Sequence, residues 1–226
     1  YVRSAVRWAA DQSVPIAVRG GGHSAWGSVP GGLTLDMAAF TDIEVKGTVV
    51  SVGGGATWGH VASVLSDHDL GISSGDTASV GVGGLTLGGI GWMVRAWGLA
   101  ADQLVGAQVV TASGDVVEVT DAAHPELMWA LRGGGGNFGV VTRFDFRAHP
   151  LPAVVFVTLG VVGDARPILR TMRDTMRDAP RELTLTFMDV PAMDPSAPAG
   201  ATITGVWIGD DEDAARRALE PLLKTE

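Results

Sequence analysis

The sequence contains no cysteine, two lysines (Lys46 and Lys224) and a single tyrosine, Tyr1, among 226 residues. Without cysteine there can be no disulfide, thiolate metal site or cysteine nucleophile, and a cytoplasmic setting is permitted. Scarce lysine combines with a net charge of −9 to argue against a nucleic-acid partner, because phosphate binding by counterion release needs clustered Lys and Arg. An anionic ligand must instead be held by backbone amides or single arginines. Long apolar runs are also rare. Thr77–Val94 runs 18 residues without a charge and holds Gly84-x-x-x-Gly88, the pattern of a membrane helix pair, but six of its residues are glycine. Each costs a helix interior about 1 kcal/mol, so the stretch reads as a tight loop leading into a short buried helix, and no membrane partner is expected.

Glycine is plentiful, at 32 residues, and hydrophobic residues make up 46% of the chain, enough for a sizeable core in one or two domains. Tyr1–Gln12 places Val2, Ala5, Val6 and Ala9 on one helical face, an amphipathic helix rather than a signal peptide. The glycines thin out beyond Pro150, where longer alternating strands and amphipathic helices begin, so a domain boundary is placed near 150. Residues 1–150 predict a helix over 2–12, strands over 14–18, 32–36 and 42–52, a helix over 57–70 and a glycine loop over 71–91. A hairpin through Val105–Val119, turning at Ser113-Gly114, a helix over 124–131 and a strand running to Phe146 complete an α+β domain. Residues 151–226 predict strand 154–162, helix 164–178, strands 183–190 and 202–208, and helix 210–223. This is a split βαβ pattern without its last strand.

The most informative stretch is Arg19-Gly20-Gly21-Gly22-His23-Ser24. A buried strand feeds three glycines, which can take positive φ angles and expose amides, and the turn ends on one imidazole. Two apparent dinucleotide fingerprints, Gly20-x-Gly22-x-x-Ala25 and Gly134-x-Gly136-x-x-Gly139, fail because neither opens a helix. Three glycine-rich loops remain, at 19–24, 75–91 and 133–139. Such loops can wrap an extended dianion without lysine, or they can merely permit tight turns. His60 and His68 lie too far apart on one helix for a metal site, His124 reads as a helix-start residue and His149 as exposed. Asp210–Asp213 reads as a helix N-terminus, and no metal is expected. Trp129 and Leu131 read as core, and Asn137 as a brace for the last glycine turn.

Three stretches carry a resemblance: Arg19–Ser24; Gly75–Gly84 continuing through Gly88–Trp92 and Gly98–Asp102; and His124–Thr142. Together they resemble the FAD-linked oxidases of the berberine bridge enzyme type, in the vanillyl alcohol oxidase and p-cresol methylhydroxylase superfamily. The resemblance implies a PCMH-type FAD-binding domain of two α/β subdomains over 1–150, with the family's first forty or so residues missing. A partial α+β substrate domain with an antiparallel sheet follows over 151–226. It implies that FAD is contacted by Arg19, Gly20, Gly21, Gly22, His23, Ser24, Gly75, Thr77, Val80, Gly81, Gly84, Gly88, Gly91, Gly139, Val140 and Val141.

It further implies that His23 bonds covalently to the flavin's 8α-methyl carbon; the alternative is a histidine that only hydrogen-bonds the turn. Thr77 stands where some members carry a second, cysteinyl link, so attachment is single. Val80 matches an oxygen-gating position, where valine goes with oxidases, or else it is ordinary core packing. The implied activity is hydride transfer from an alcohol, sugar or amine to flavin N5, with reoxidation by molecular oxygen to hydrogen peroxide. The alternatives are a non-covalent FAD dehydrogenase or reductase of the same fold and an inactive nucleotide-binding remnant. The family's tyrosine-type bases have no counterpart here, so the catalytic residues, the substrate and the oligomeric state stay open.

Overall fold

The computed structural model describes residues 1–161, 163–190 and 200–225. The chain falls into two compact units, Tyr1–Pro150 and Leu151–Glu226.

In the first unit, helix α1 (Val2–Asp11) buries Val2, Val6 and Ala9, as its apolar spacing requires. Strand β1 (Ile16–Arg19) pairs in parallel with β2 (Leu33–Asp36), Ile16 opposite Leu33 and Arg19 opposite Asp36. Val2, Val6, Met37, Val110 and Val140 form the small core beneath them. The single strand expected over 42–52 is instead a hairpin, β3 (Ile43–Lys46) and β4 (Val49–Gly53). Gly47, at φ +61°, reverses the chain between them. Helix α2 (Trp58–Ser66) is capped by the Thr57 hydroxyl, which accepts from the His60 amide. It ends short of the expected 70, because Asp69 turns left-handed at φ 52° and β5 (Leu70–Gly71) follows. His68 is therefore not on the helix.

The glycine loop holds two four-residue helices in place of one short buried helix. α3 (Val82–Leu85) buries Val82, whereas α4 (Val94–Trp97) buries nothing; Gly89, at φ +80°, prevents them from joining. Strands β6 (Leu104–Val110) and β7 (Val116–Thr120) form the expected hairpin, with Gly114 at φ +77°. Helix α5 (Pro125–Leu131) buries Met128 and Leu131. Trp129 does not join them and is 78% exposed. One residue is about 100° around a helix, which carries position 129 off the face shared by 128 and 131. β8 (Val140–Arg147) and β9 (His149–Pro150) complete the unit.

Five strands form one antiparallel sheet in the order β3-β4-β8-β6-β7, and β5 pairs separately with β9. Val140, Thr142, Phe144 and Phe146 alternate inward along β8. Phe146, fully buried, meets Trp58 at a centroid distance of 5.3 Å. Truncating such a ring to alanine costs about 3–5 kcal/mol. The opposite sheet face is polar, with Arg143 bonding Asp145 and Glu118, and Ser51 donating to Asp145.

The second unit contains β10 (Val154–Val161), α6 (Arg166–Asp178), β11 (Leu183–Val190), β12 (Gly200–Ile208) and α7 (Glu212–Leu223). Residue 162, the end of the expected first strand, lies outside the described residues. β12 lies between β10 and β11 and runs antiparallel to both. The outer two are thus parallel with a gap filled, which is the split βαβ arrangement. Val157, Leu183, Leu185, Ile203, Leu219 and Leu222 form its core. Asp211 caps α7 by accepting from the Ala214 amide at 2.8 Å, so the acidic run is a helix start.

Candidate cofactor site

The turn after β1 meets the loop before α3 backbone to backbone. A Cβ built on Gly21 would fall 2.7 Å from the Gly81 Cα and 3.0 Å from the Ser79 carbonyl oxygen. One built on Gly81 would fall 2.9 Å from the Gly21 Cα. Each glycine therefore makes room for the other's main chain, and the first two glycine loops form one surface. The second loop is pinned from behind. The Trp58 and Gly59 amides donate to the Val80 and Ala78 carbonyls at 2.9 and 2.8 Å, and the Val82 amide donates to the Ala56 carbonyl at 3.0 Å.

His23 lies exposed on this surface with Nε2 2.8 Å from the Ser79 Oγ. Fifty-six residues separate the two, and the Gly21–Gly81 approach brings them together. Arg19 does not extend from the turn. Its guanidinium folds beneath Gly22 and donates to Asp36 at 2.8 Å, across the β1–β2 pair. Asp36 is held below the ordinary carboxylate range, first by the hydrogen bond from the Ala38 amide and then by Arg19. Arg19 thus braces the turn. Gly22, at φ +79°, provides the left-handed step above it. Ser24 accepts from the Trp26 amide at 3.1 Å, closing the turn.

Of the second-loop positions, Gly91 packs against the Ser74 carbonyl so closely that no side chain fits, and Gly75 lies under Leu85. Thr77 is exposed and donates to Asp76 at 3.1 Å. The Val80 side chain packs against the main core, while its carbonyl serves α2. Apart from their chain neighbours and, for Gly84, the backbone of its own helix, Gly84 and Gly88 have no protein atom within 4 Å of where a Cβ would be, so their backbone faces are open to a bulky neighbour.

The third loop touches the second at Gly135, whose Cβ position lies 3.2 Å from a Leu87 methyl. Arg132 anchors its start with two bonds to the Leu104 carbonyl, at 3.1 and 2.8 Å, and a bidentate pair to Asp121 at 2.9 Å. Asn137 donates to the Gly134 carbonyl at 2.8 Å and braces the turn. Gly139, at φ +141°, crosses the Val110 carbonyl where no Cβ fits. Val140 and Val141 register with Val110 and Val109 in the sheet, so their place at the loop's edge is fixed by the ladder. The first loop thus meets the second at Gly21 and Gly81, the third meets it at Gly135 and Leu87, and His23 is the one imidazole in the three loops. Ser79, Asp36 and Gly54, which packs on the Val141 carbonyl, have no signature of their own in the sequence.

Residues 1–120, more than half of the chain, match the model of the FAD binding domain. The chain belongs to the FAD binding domain family. It is 38% identical over 156 residues to (R)-6-hydroxynicotine oxidase of Paenarthrobacter nicotinovorans, covering 67% of this chain and 34% of that protein. The structure superposes on wild-type BBE-like 1 of Physcomitrella patens with a TM-score of 0.88 at 28% identity, over 99% of this chain and 50% of that one. It superposes on the glucooligosaccharide oxidase of Acremonium strictum, a structure described as revealing a novel flavinylation, with a TM-score of 0.82 at 28% identity. That match covers 99% of this chain and 47% of that one. The chain therefore spans about a third of the curated relative and about half of each solved structure. Its α+β fold is that of the PCMH-type FAD-binding proteins, and its structural neighbours are berberine bridge enzyme-like proteins and carbohydrate oxidases.

The residues fit the cofactor. A dinucleotide needs amide-rich loops that approach it closely, and the open faces of Gly84 and Gly88 supply backbone without side-chain cover. A covalent link needs an accessible nitrogen nucleophile, and His23 is exposed beside the Gly21–Gly81 contact. Among the described residues no group of three or more His, Asp or Glu is placed to hold a metal ion, and no helix is long and apolar enough to cross a membrane.

Proposed function

We propose that this chain is the FAD-binding part of an oxidase that carries its flavin covalently, and singly, on His23. The observation that supports this reading most is the position of His23. It stands exposed on the turn that Gly21 interlocks with Gly81, inside the matched FAD binding domain. Bound FAD would accept hydride from a substrate C–H bond and pass the electrons to molecular oxygen, giving hydrogen peroxide.

The chain's own residues would hold and orient it. Gly20, Gly21 and Gly22 with Ser24 would form one wall, and Gly75, Gly81, Gly84, Gly88 and Gly91 another. Gly139, Val140 and Val141 would offer the third edge, with Arg19 keeping the first turn in shape through Asp36. With Thr77 in place of a cysteine, no second attachment is available. Residues 151–226 would supply the start of the substrate-binding part. The substrate class is a small alcohol, sugar or amine, in keeping with relatives named for nicotine and oligosaccharide oxidation.

Flavin fluorescence of the denatured protein on a gel tests the reading. Fluorescence in the wild-type band and none in His23→Ala is the expected result. A dark wild-type band with free flavin in solution would leave the non-covalent reductase or dehydrogenase in its place.

A further inference from the structure

We propose that Ser79 is the positioning residue that prepares His23 for flavin attachment, an inference that rests on His23 being the attachment site. The Ser79 hydroxyl stands 2.8 Å from His23 Nε2. Both residues are exposed, so this is not a pair trapped by core packing. Its geometry is set by main chain. Ala78 and Val80, on either side of Ser79, are bonded through their carbonyls to the first amides of α2. Ser79 lies between them and turns its side chain to the opposite loop. There the Gly21–Gly81 contact sets the distance between the two backbones.

The chemistry follows from the two nitrogens of a neutral imidazole, one carrying the proton and the other a lone pair. In the proposed arrangement the Nε2–H donates to the Ser79 hydroxyl, which selects the tautomer whose free lone pair is on Nδ1. The hydroxyl has a second task once the bond forms, since an imidazole alkylated on Nδ1 becomes a cation until Nε2 gives up its proton, and the Ser79 hydroxyl relays that proton, releasing its own to solvent as it takes the one from Nε2. In the balanced step, Nδ1 bonds to the 8α carbon as one C–H bond of that methyl breaks. The two electrons remain on the flavin, which ends reduced, and the methyl and Nε2 protons complete it directly or through solvent. No outside oxidant enters the step, and molecular oxygen returns the flavin to its oxidised form.

The test follows covalent flavin in the native full-length chain, made flavin-free and then mixed with FAD, by gel fluorescence over time. Total bound flavin and the thermal midpoint are recorded alongside. Ser79→Ala is expected to slow attachment about tenfold, the scale of one hydrogen bond's contribution, with bound flavin and midpoint unchanged. Ser79→Thr, which keeps the hydroxyl, is expected to attach at the wild-type rate. Nitrogen-15 spectra of the flavin-free protein should show the proton of His23 on Nε2 in wild type and shared between tautomers in Ser79→Ala. Equal attachment rates in wild type and Ser79→Ala overturn the proposal. So does equal slowing in the alanine and threonine variants, or loss of bound flavin in Ser79→Ala, each of which marks a packing role. Absence of covalent flavin from the wild type itself defeats the reading of His23, an outcome distinct from all of these.

Discussion

Gly81→Ala is the substitution that separates a packed loop junction from a merely flexible one. The added Cβ would fall 2.9 Å from the Gly21 Cα and closer still to its amide, against the 3.4 Å at which ordinary contact begins. The shortfall is at least about half an ångström, and both neighbours are main chain, so no rotamer change can relieve it. Overpacking of this kind costs about 1–3 kcal/mol, and the rigid neighbours put the expected value in the upper half of that range. For a chain of this length, about 2 kcal/mol lowers the thermal midpoint by roughly 4–8 °C. The same strain opens the distance between His23 and Ser79, so covalent flavin should fall together with stability.

Gly84→Ala is the matched control. No protein atom outside its own helix and chain neighbours lies within 4 Å of its Cβ position, and it sits in α3, where alanine is the better helix former by roughly 0.5–1 kcal/mol. In the absence of flavin it should leave the midpoint unchanged or raised. Thermal unfolding by circular dichroism of both flavin-free variants decides the matter. A Gly81→Ala protein as stable as wild type would refute the backbone interlock on which the site is built.

Arg132→Ala removes the anchor at the start of the third loop, and should cost about 1–3 kcal/mol while raising hydrogen exchange at the amides of residues 133–139. It should also let the Asp121 carboxyl rise toward its ordinary value, because Arg132 is the first cause of its depression. Trp129→Ser should change stability by no more than about 0.5 kcal/mol, since the side chain is exposed; a core residue would cost several times that. His149 stacks on Trp97 at 4.6 Å with its Nε2 buried and unpartnered, and burial, aided by the charge of Arg147, pushes its imidazole below the ordinary value. The unfolded chain then binds the proton more readily, so stability should be full above about pH 6.5 and fall as pH drops through that value. His149→Phe, which keeps the stack, should flatten that slope in urea titrations, and an unchanged slope would contradict the assignment.

The sequence was most readable where structure is local. The α1 face, the Ser113-Gly114 hairpin and the Asp211 cap each follow from neighbours within a few residues, and the split βαβ order followed from the sequence of element types. His23 and the three glycine loops were legible because close backbone approach demands glycine wherever it occurs. What the sequence hid depends on partners far along the chain. Ser79 looks like any loop serine until Gly81 meets Gly21, and the Arg19 bond to Asp36 depends on β2 lying across from β1. The break at Gly47 depends on a positive φ that the apolar run over 42–52 does not show, and the exposure of Trp129 depends on which helix face is covered, which hydrophobicity alone does not say.

The most direct test of the histidyl-flavin claim is mass spectrometry of a tryptic digest of the purified protein. Cleavage after Arg19 and Lys46 releases Gly20–Lys46, which has no internal lysine or arginine and His23 as its one histidine. A histidyl flavin on His23 puts the flavin mass on that peptide, with fragment ions that assign it to His23. The same peptide recovered wholly unmodified from protein that had bound FAD, or flavin found on any other peptide, would contradict it.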